Sequence, residues 1–313
     1  MTSSPEPAPA PPQDFADIRR VLTEILPPDL PAATAARTFA AQEKMAALPT
    51  EILAWMAAWQ GRFPPRFEHP RIVIYAADHG VGGAEGDTRA AIDALREGRA
   101  PVCALAEKHD ADLRLYELNL AAPTADFTTI AAMTEAECAG VIVYGMMAVE
   151  MGVDALALCG FGRGASLSAA VLAGLMGHED VAAALLSPQD QPIMDKAVAL
   201  HADAASDPLE LLRRVGGREM AAMLGVMIAA RMARTPVVLE GVNALVAAAL
   251  LHRLDDRALR HCLFAGNGTA AATRLAESLE LSHVDGEAES AAAIGTASAA
   301  LFPLLRAASV VAA

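Results

Sequence analysis

Residues 71–78 read RIVIYAAD, an unbroken apolar run from Ile72 to Ala77 that closes on an acid. A strand with one wet face would carry a polar side chain at every second position, and this run has none between its ends. Both of its faces are therefore to be buried, as in a parallel sheet covered by helices. Four further β-like runs follow: ADLRLYELN (111–119), DALALC (154–159), TPVVLE (235–240) and RHCLFAG (260–266). Each closes in a loop and gives way to a helical segment. This alternation predicts an α/β fold, a parallel Rossmann-like sheet with helices on both faces.

The 313 residues, 54% of them hydrophobic, suffice for a sizeable core. Helical patterning runs from Ile18 to Ile25 and again from Pro31 to Trp59, ahead of the loop GRFPPRFEHP. The stretch EMAAMLGVMIAARMAR (219–234) has methionines and a leucine at helical spacing; it is too short to span a membrane and reads as a buried core helix. The N-terminus MTSSPEPAPAPPQDFAD lacks an apolar core segment and reads as a disordered lead-in over 1–17, not as a signal peptide. Thirty-eight acids against 24 bases give a net charge of −14, which repels nucleic-acid backbone and anionic membrane, so neither is expected as a partner. Four scattered cysteines with no CxxC pair and no zinc-type His/Cys spacing fit reduced thiols in a cytoplasm, with no metal and no cofactor.

In a sheet of this kind the ligand lies beyond the carboxyl ends of the strands. The loops there are DHGVGGAEGD, NLAAPTAD, GFGRGAS, EGVNA and GNGTAAAT, and four of the five contain glycine, which lets backbone approach a ligand or simply turns the chain. These loops supply the candidate substrate-binding residues Asp78, His79, Gly80, Gly160, Gly162, Arg163, Glu240, Gly241, Gly266, Asn267 and Gly268. The stretch LCGFGRGAS (158–166) is a strand-to-helix turn that suits an anion. Its G-x-G-x-G spacing is not the dinucleotide fingerprint, and neither Glu179 nor Asp180 ends a following strand-like run. Asp78, His79 and Glu240 are the candidates for proton transfer, although an acid in such a loop equally serves to tie down backbone N–H groups. Arg163 is placed to face a phosphate or to lie in solvent.

Three stretches, WQGRFPPRFEHPRIVIYAADHGV (59–81), DPLELLRRVGGREMAAMLGVMIAARMARTPVVLEG (207–241) and IGTASAALFPLLRAA (294–308), together resemble the nicotinate-nucleotide:dimethylbenzimidazole phosphoribosyltransferase family. The resemblance runs from about residue 35 to the end. It implies a Rossmann-like domain over 66–285 and a small helical domain assembled from 18–65 and 286–313. It also implies a homodimer with its cleft near the interface. The implied reaction moves ribose 5-phosphate from nicotinate mononucleotide to a benzimidazole nitrogen, giving α-ribazole phosphate for the lower loop of cobalamin. Nicotinate leaves as an activated pyridinium, so the site must align the incoming ring, hold the phosphate and take one proton from the benzimidazole.

Retained from the family are ADHGV (77–81), the GG-x-E turn at Gly217 and Glu219, Gly241, and Gly295 with Thr296, which adds Gly217, Gly295 and Thr296 to the expected binding residues. Glu240 stands where the family usually has aspartate. The family's general-base glutamate falls on Ile294, and its second carboxylate falls on Leu158 or Cys159. The phosphate-side loop has become AGNGTAAAT, and polar positions of another family helix and turn have become Ala90, Ala94 and Cys103. Glu287 and Glu289 precede Ile294, and on a helix Glu289 would point about 140° away from it. Two expectations follow: a phosphoribosyltransferase with an altered base, or a catalytically silent homologue that binds a nucleotide or aromatic base, or pairs with an active paralogue as a heterodimer.

Overall fold

Side chains alternate along the strands and sort the interior into two layers, one on each face of a single sheet. The computed structural model describes residues 13–82, 87–266, 270–285 and 294–310. Its strands are β1 (Pro70–Ala76), β2 (Asp112–Glu117), β3 (Ala155–Phe161), β4 (Val237–Glu240), β5 (Cys262–Gly266) and β6 (Ser282–Asp285), all parallel, in the order β2-β1-β3-β4-β5-β6. The helices in chain order are α1 (Phe15–Leu22), α2 (Leu30–Gln42), α3 (Ala47–Gln60), α4 (Thr88–Arg96), α5 (Pro101–Lys108), α6 (Glu135–Met146), α7 (Ala165–Leu175), α8 (Glu179–Leu185), α9 (Gln191–His201), α10 (Pro208–Val215), α11 (Arg218–Met232), α12 (Gly241–Leu254), α13 (Ala270–Ser278), α14 (Thr296–Ala300) and α15 (Phe302–Val310). None of the described helices is long and apolar enough to cross a membrane.

Val73, Tyr75, Leu156, Leu158, Val237, Leu239 and Phe264 point to one layer, which α6, α7, α11 and α12 complete. Ile72, Ile74, Ala157, Cys159, Val238, Leu263 and Ala265 point to the other, closed by apolar side chains of α2, α3, α5, α14 and α15. The continuous apolar strands β1, β3, β4 and β5 are thus covered on both faces, β2 lies half-exposed at the edge, and the expected α/β fold is present. α11 is buried all round, including Met220, Met223 and Met227, and occupies the centre of the first layer.

The sequence pattern yields five strands; the sixth, SHVD, has too few apolar residues to stand out, and it forms because β5 offers it an edge to pair with. The long helical stretch from Pro31 to Trp59 is two helices, broken where Lys44 takes a positive φ of 54°. β3 also runs two residues past the apolar run, with Gly160 opposite Tyr75 and Phe161 opposite Ala76.

Candidate active site at the sheet switch point

The chain leaves β1 for β2 on one side, then crosses back to lay β3, β4, β5 and β6 on the other. The strand order reverses between β1 and β3, and in open parallel sheets the crevice beyond the strand ends at that point is where ligands bind. The two loops that meet there are the ADHGV segment after β1 and the glycine turn after β3.

They are bonded to each other. Ala77 N–H donates to Phe161 O at 3.0 Å and His79 N–H to Arg163 O at 2.9 Å. Asp78 Oδ1 accepts from the Thr88 hydroxyl at 2.6 Å and from Arg163 N–H at 3.1 Å, so this carboxylate clamps the glycine turn to the start of α4. Arg163 N–H also lies 3.0 Å from Thr88 Oγ1. The turn needs its glycines for proximity: a Cβ on Gly162 would stand 1.6 Å from Ala77 O, and Gly164, at φ +86°, has His79 Cβ 2.8 Å from where its own Cβ would be. Gly80 presses on the loop after β2, where a Cβ would lie 2.2 Å from Thr124 O. Of the loop residues expected at the site, Asp78, His79, Gly80, Gly160, Gly162 and Arg163 come together here; Arg163 is solvent-exposed.

Behind this junction is a pairing of residues 140 positions apart. His79 Nε2 lies 2.9 Å from Glu219 Oε1, and both side chains are 0% exposed. Among the described residues, neither His79 Nδ1 nor Glu219 Oε2 has a hydrogen-bond partner. Gly217 seals the pair, because a Cβ there would fall 2.2 Å from Glu219 Oε2 and 2.4 Å from His79 Nε2. Glu219 sits in the first turn of α11, where the helix dipole favours a negative charge. Arg218, one residue earlier, donates to Ala122 O at 2.7 Å and brings the loop after β2 to the same place. Glu219, Arg218 and Thr88 are contributors that the strand-end pattern does not point to; the GG-x-E turn following at distance from ADHGV is the one trace they leave in sequence.

Glu240, at the end of β4, does not face the crevice as a free base. Its Oε1 accepts from Gly295 N–H at 2.8 Å, and its Oε2 accepts from Ser298 N–H at 2.8 Å and the Ser298 hydroxyl at 2.7 Å. Burial pushes its carboxyl above the usual carboxylate range, against the downward pull of hydrogen bonds from Ser298, Ala297 and Gly295. Its visible task is to hold the N-terminus of α14 on the sheet, which brings Gly295, Thr296 and the half-buried Ile294 to the same end of β4. Gly241 follows at φ +83° and opens α12, whose Asn243 amide donates to Gly160 O at 3.3 Å.

Leu158 and Cys159 lie inside β3 and not in its loop. Leu158, 0% exposed, points to the first layer; Cys159, 4% exposed, points to the second, and burial holds its thiol well above the usual range. Gly266 ends β5 in register with Asp285. Asn267, Gly268, Glu287 and Glu289 lie outside the described residues.

Comparison with known proteins gives one consistent result. A family model described as phosphoribosyltransferase matches residues 32–313. The nicotinate-nucleotide–dimethylbenzimidazole phosphoribosyltransferase of Sinorhizobium fredii is 37% identical over 268 residues, 80% of this chain and 79% of the relative, and that of Rhizobium etli is 38% identical over the same span. The crystal structure of the enzyme of that name from Thermus thermophilus superposes with a TM-score of 0.74 at 23% identity, covering 90% of this chain and 95% of the other, a likeness of fold.

Proposed function

Since the chain belongs to the nicotinate-nucleotide–dimethylbenzimidazole phosphoribosyltransferase family, we propose that it transfers ribose 5-phosphate from nicotinate mononucleotide to a ring nitrogen of an aromatic base, in the cytoplasm and as a homodimer. The observation that carries this reading is the intact junction of the β1 and β3 loops, clamped by Asp78 and Thr88 at the switch point. A pyridinium nucleotide needs no protonation of its leaving group, so most of the rate comes from holding donor and acceptor in line. That part of the task rests on loop geometry, which Gly162, Gly164 and Gly217 keep tight.

The proton is a separate matter. In this reading Ile294 occupies the general-base position and Leu158 or Cys159 the second carboxylate position, and none of the three accepts a proton. Positioned acid–base groups contribute about 10²–10⁴-fold. Transfer to 5,6-dimethylbenzimidazole is therefore expected to be slow by about that factor and not abolished. Purified protein incubated with nicotinate mononucleotide and 5,6-dimethylbenzimidazole should release nicotinate and form α-ribazole phosphate at a rate above the protein-free control. Ile294→Glu alone is expected to recover only part of the deficit, because Ala90, Ala94 and Cys103 also replace polar family positions.

The burial of Leu158 and the apolar setting of Ile294 favour a second reading, a silent homologue that binds nucleotide or base or partners an active paralogue. Calorimetric binding of nicotinate mononucleotide with no product from any aromatic acceptor would establish that reading over the first.

A further inference from the structure

The half-buried Ile294 does not stand alone. It packs on the layer that contains Ile74 and Val102, alongside the half-buried Phe161 and Cys103. Next to it, a Cβ on Gly295 would lie 2.8 Å from Val102 Cγ2 and 3.5 Å from Ile74 Cδ1. Phe161 closes β3 at the switch point, and the Glu240 anchor fixes residues 294 and 295 at the end of β4. The carboxyl end of the sheet therefore carries, on its α5 side, the half-buried apolar side chains of Phe161 and Ile294. The Glu240 carboxylate, which reaches Gly295, is committed to Gly295 and Ser298. His79 and Glu219 are sealed at 0% exposure, and the Cys159 thiol is buried in the strand.

Resting on the transfer reading above, we propose that the preferred acceptor is a neutral six-membered nitrogen heterocycle of the pyridine class, one whose ring carries no N–H. The chemistry of the step selects it. The lone pair of the entering ring nitrogen forms a bond to C1′ of the ribose phosphate, and the C1′–N bond to nicotinate breaks with its electron pair staying on the nicotinate nitrogen. The positive charge passes from the leaving ring to the entering one, and no proton moves. A benzimidazole adds a second requirement: after attack its other nitrogen holds an N–H that needs an acceptor. Against the hydrocarbon side chain of Ile294 that N–H meets no acceptor from this residue, which is unfavourable, whereas a pyridine edge of C–H groups matches it. Phe161 supplies an aromatic side chain of the kind that packs against heterocycles.

The test compares 3-methylpyridine with 5,6-dimethylbenzimidazole as acceptors for nicotinate mononucleotide, using the full chain and mass spectrometry of the ribotide products. The expected result is a pyridinium ribotide formed at least about 10²-fold faster than the benzimidazole product. Ile294→Glu should move the ratio of the two rates at least about tenfold toward benzimidazole, while Ile294→Val keeps it. Faster transfer to the benzimidazole in the unaltered protein overturns the acceptor assignment and leaves phosphoribosyl transfer standing. No product from either acceptor, with nicotinate mononucleotide bound, overturns both.

Discussion

Removing His79 should expose how much the switch point depends on a pair of buried groups. In His79→Ala, Glu219 keeps its place in the first turn of α11 at 0% exposure but loses the nitrogen 2.9 Å away, and its second oxygen already has no partner among the described residues. Stripping one member from a buried pair costs about 3–5 kcal/mol, mostly because the remaining charge is left uncompensated. Unfolding entropy of about 2.1 cal/mol/K per residue, applied to 313 residues, makes 1 kcal/mol worth about 1.5 °C, so the melting midpoint should fall by about 5–8 °C. His79→Ala/Glu219→Ala removes both groups and should fall by clearly less than the sum of the two single variants, since no buried polar group is then left without its partner. Differential scanning calorimetry at neutral pH measures the midpoints. Hydrogen exchange at the amides of His79 and Arg163, which bond across the two loops, should rise in the single variants while β4 amides hold. A midpoint within about 2 °C of the unaltered protein, or strict additivity in the double variant, would refute the buried-pair account.

Gly164→Ala places a methyl at φ +86°, 2.7 Å from Val81 O and 2.8 Å from His79 Cβ; left-handed backbone alone costs about 1–2 kcal/mol. Urea unfolding should show at least that loss, together with weakened binding of nicotinate mononucleotide. Glu240→Ala leaves the Gly295 and Ser298 N–H groups without their acceptor, a loss of about 1–3 kcal/mol, and exchange should rise through α14 before anywhere else on the sheet. His261, 0% exposed, has its pKa pushed down to about 3, first by burial and then by the Arg231 guanidinium. Its unfolded form binds a proton below about pH 6.5 and the folded form does not, so stability rises with pH between the two values and is lost as pH falls through that window. The loss should reach about 2 kcal/mol by pH 5, and His261→Gln should flatten this acid limb in chemical denaturation at pH 5, 6 and 7.

β1, β3, β4 and β5 are legible in the sequence because burial on both faces leaves one continuous signal, and RIVIYA needs no knowledge of its neighbours to be read. SHVD carries no such signal; pairing to β5 makes it a strand, and pairing is a property of the folded chain. The site divides in the same way. A loop at the end of an apolar run is visible locally, so Asp78, Gly162 and Arg163 are legible as strand-end loop residues, and the fold bonds the two loops together. What each side chain does there depends on partners far away. Glu240 ends a strand as a catalytic acid would, yet Ser298, 58 residues on, takes up its carboxylate and turns it into an anchor. Glu219 lies in a stretch that reads as plain core helix, yet its partner is the histidine of the first loop, 140 residues back. Composition and periodicity report burial, and both glutamates are buried. The difference between a carboxylate that takes a proton and one that holds a loop lies in what occupies its lone pairs, and that becomes readable only when the sheet has brought the strand ends together.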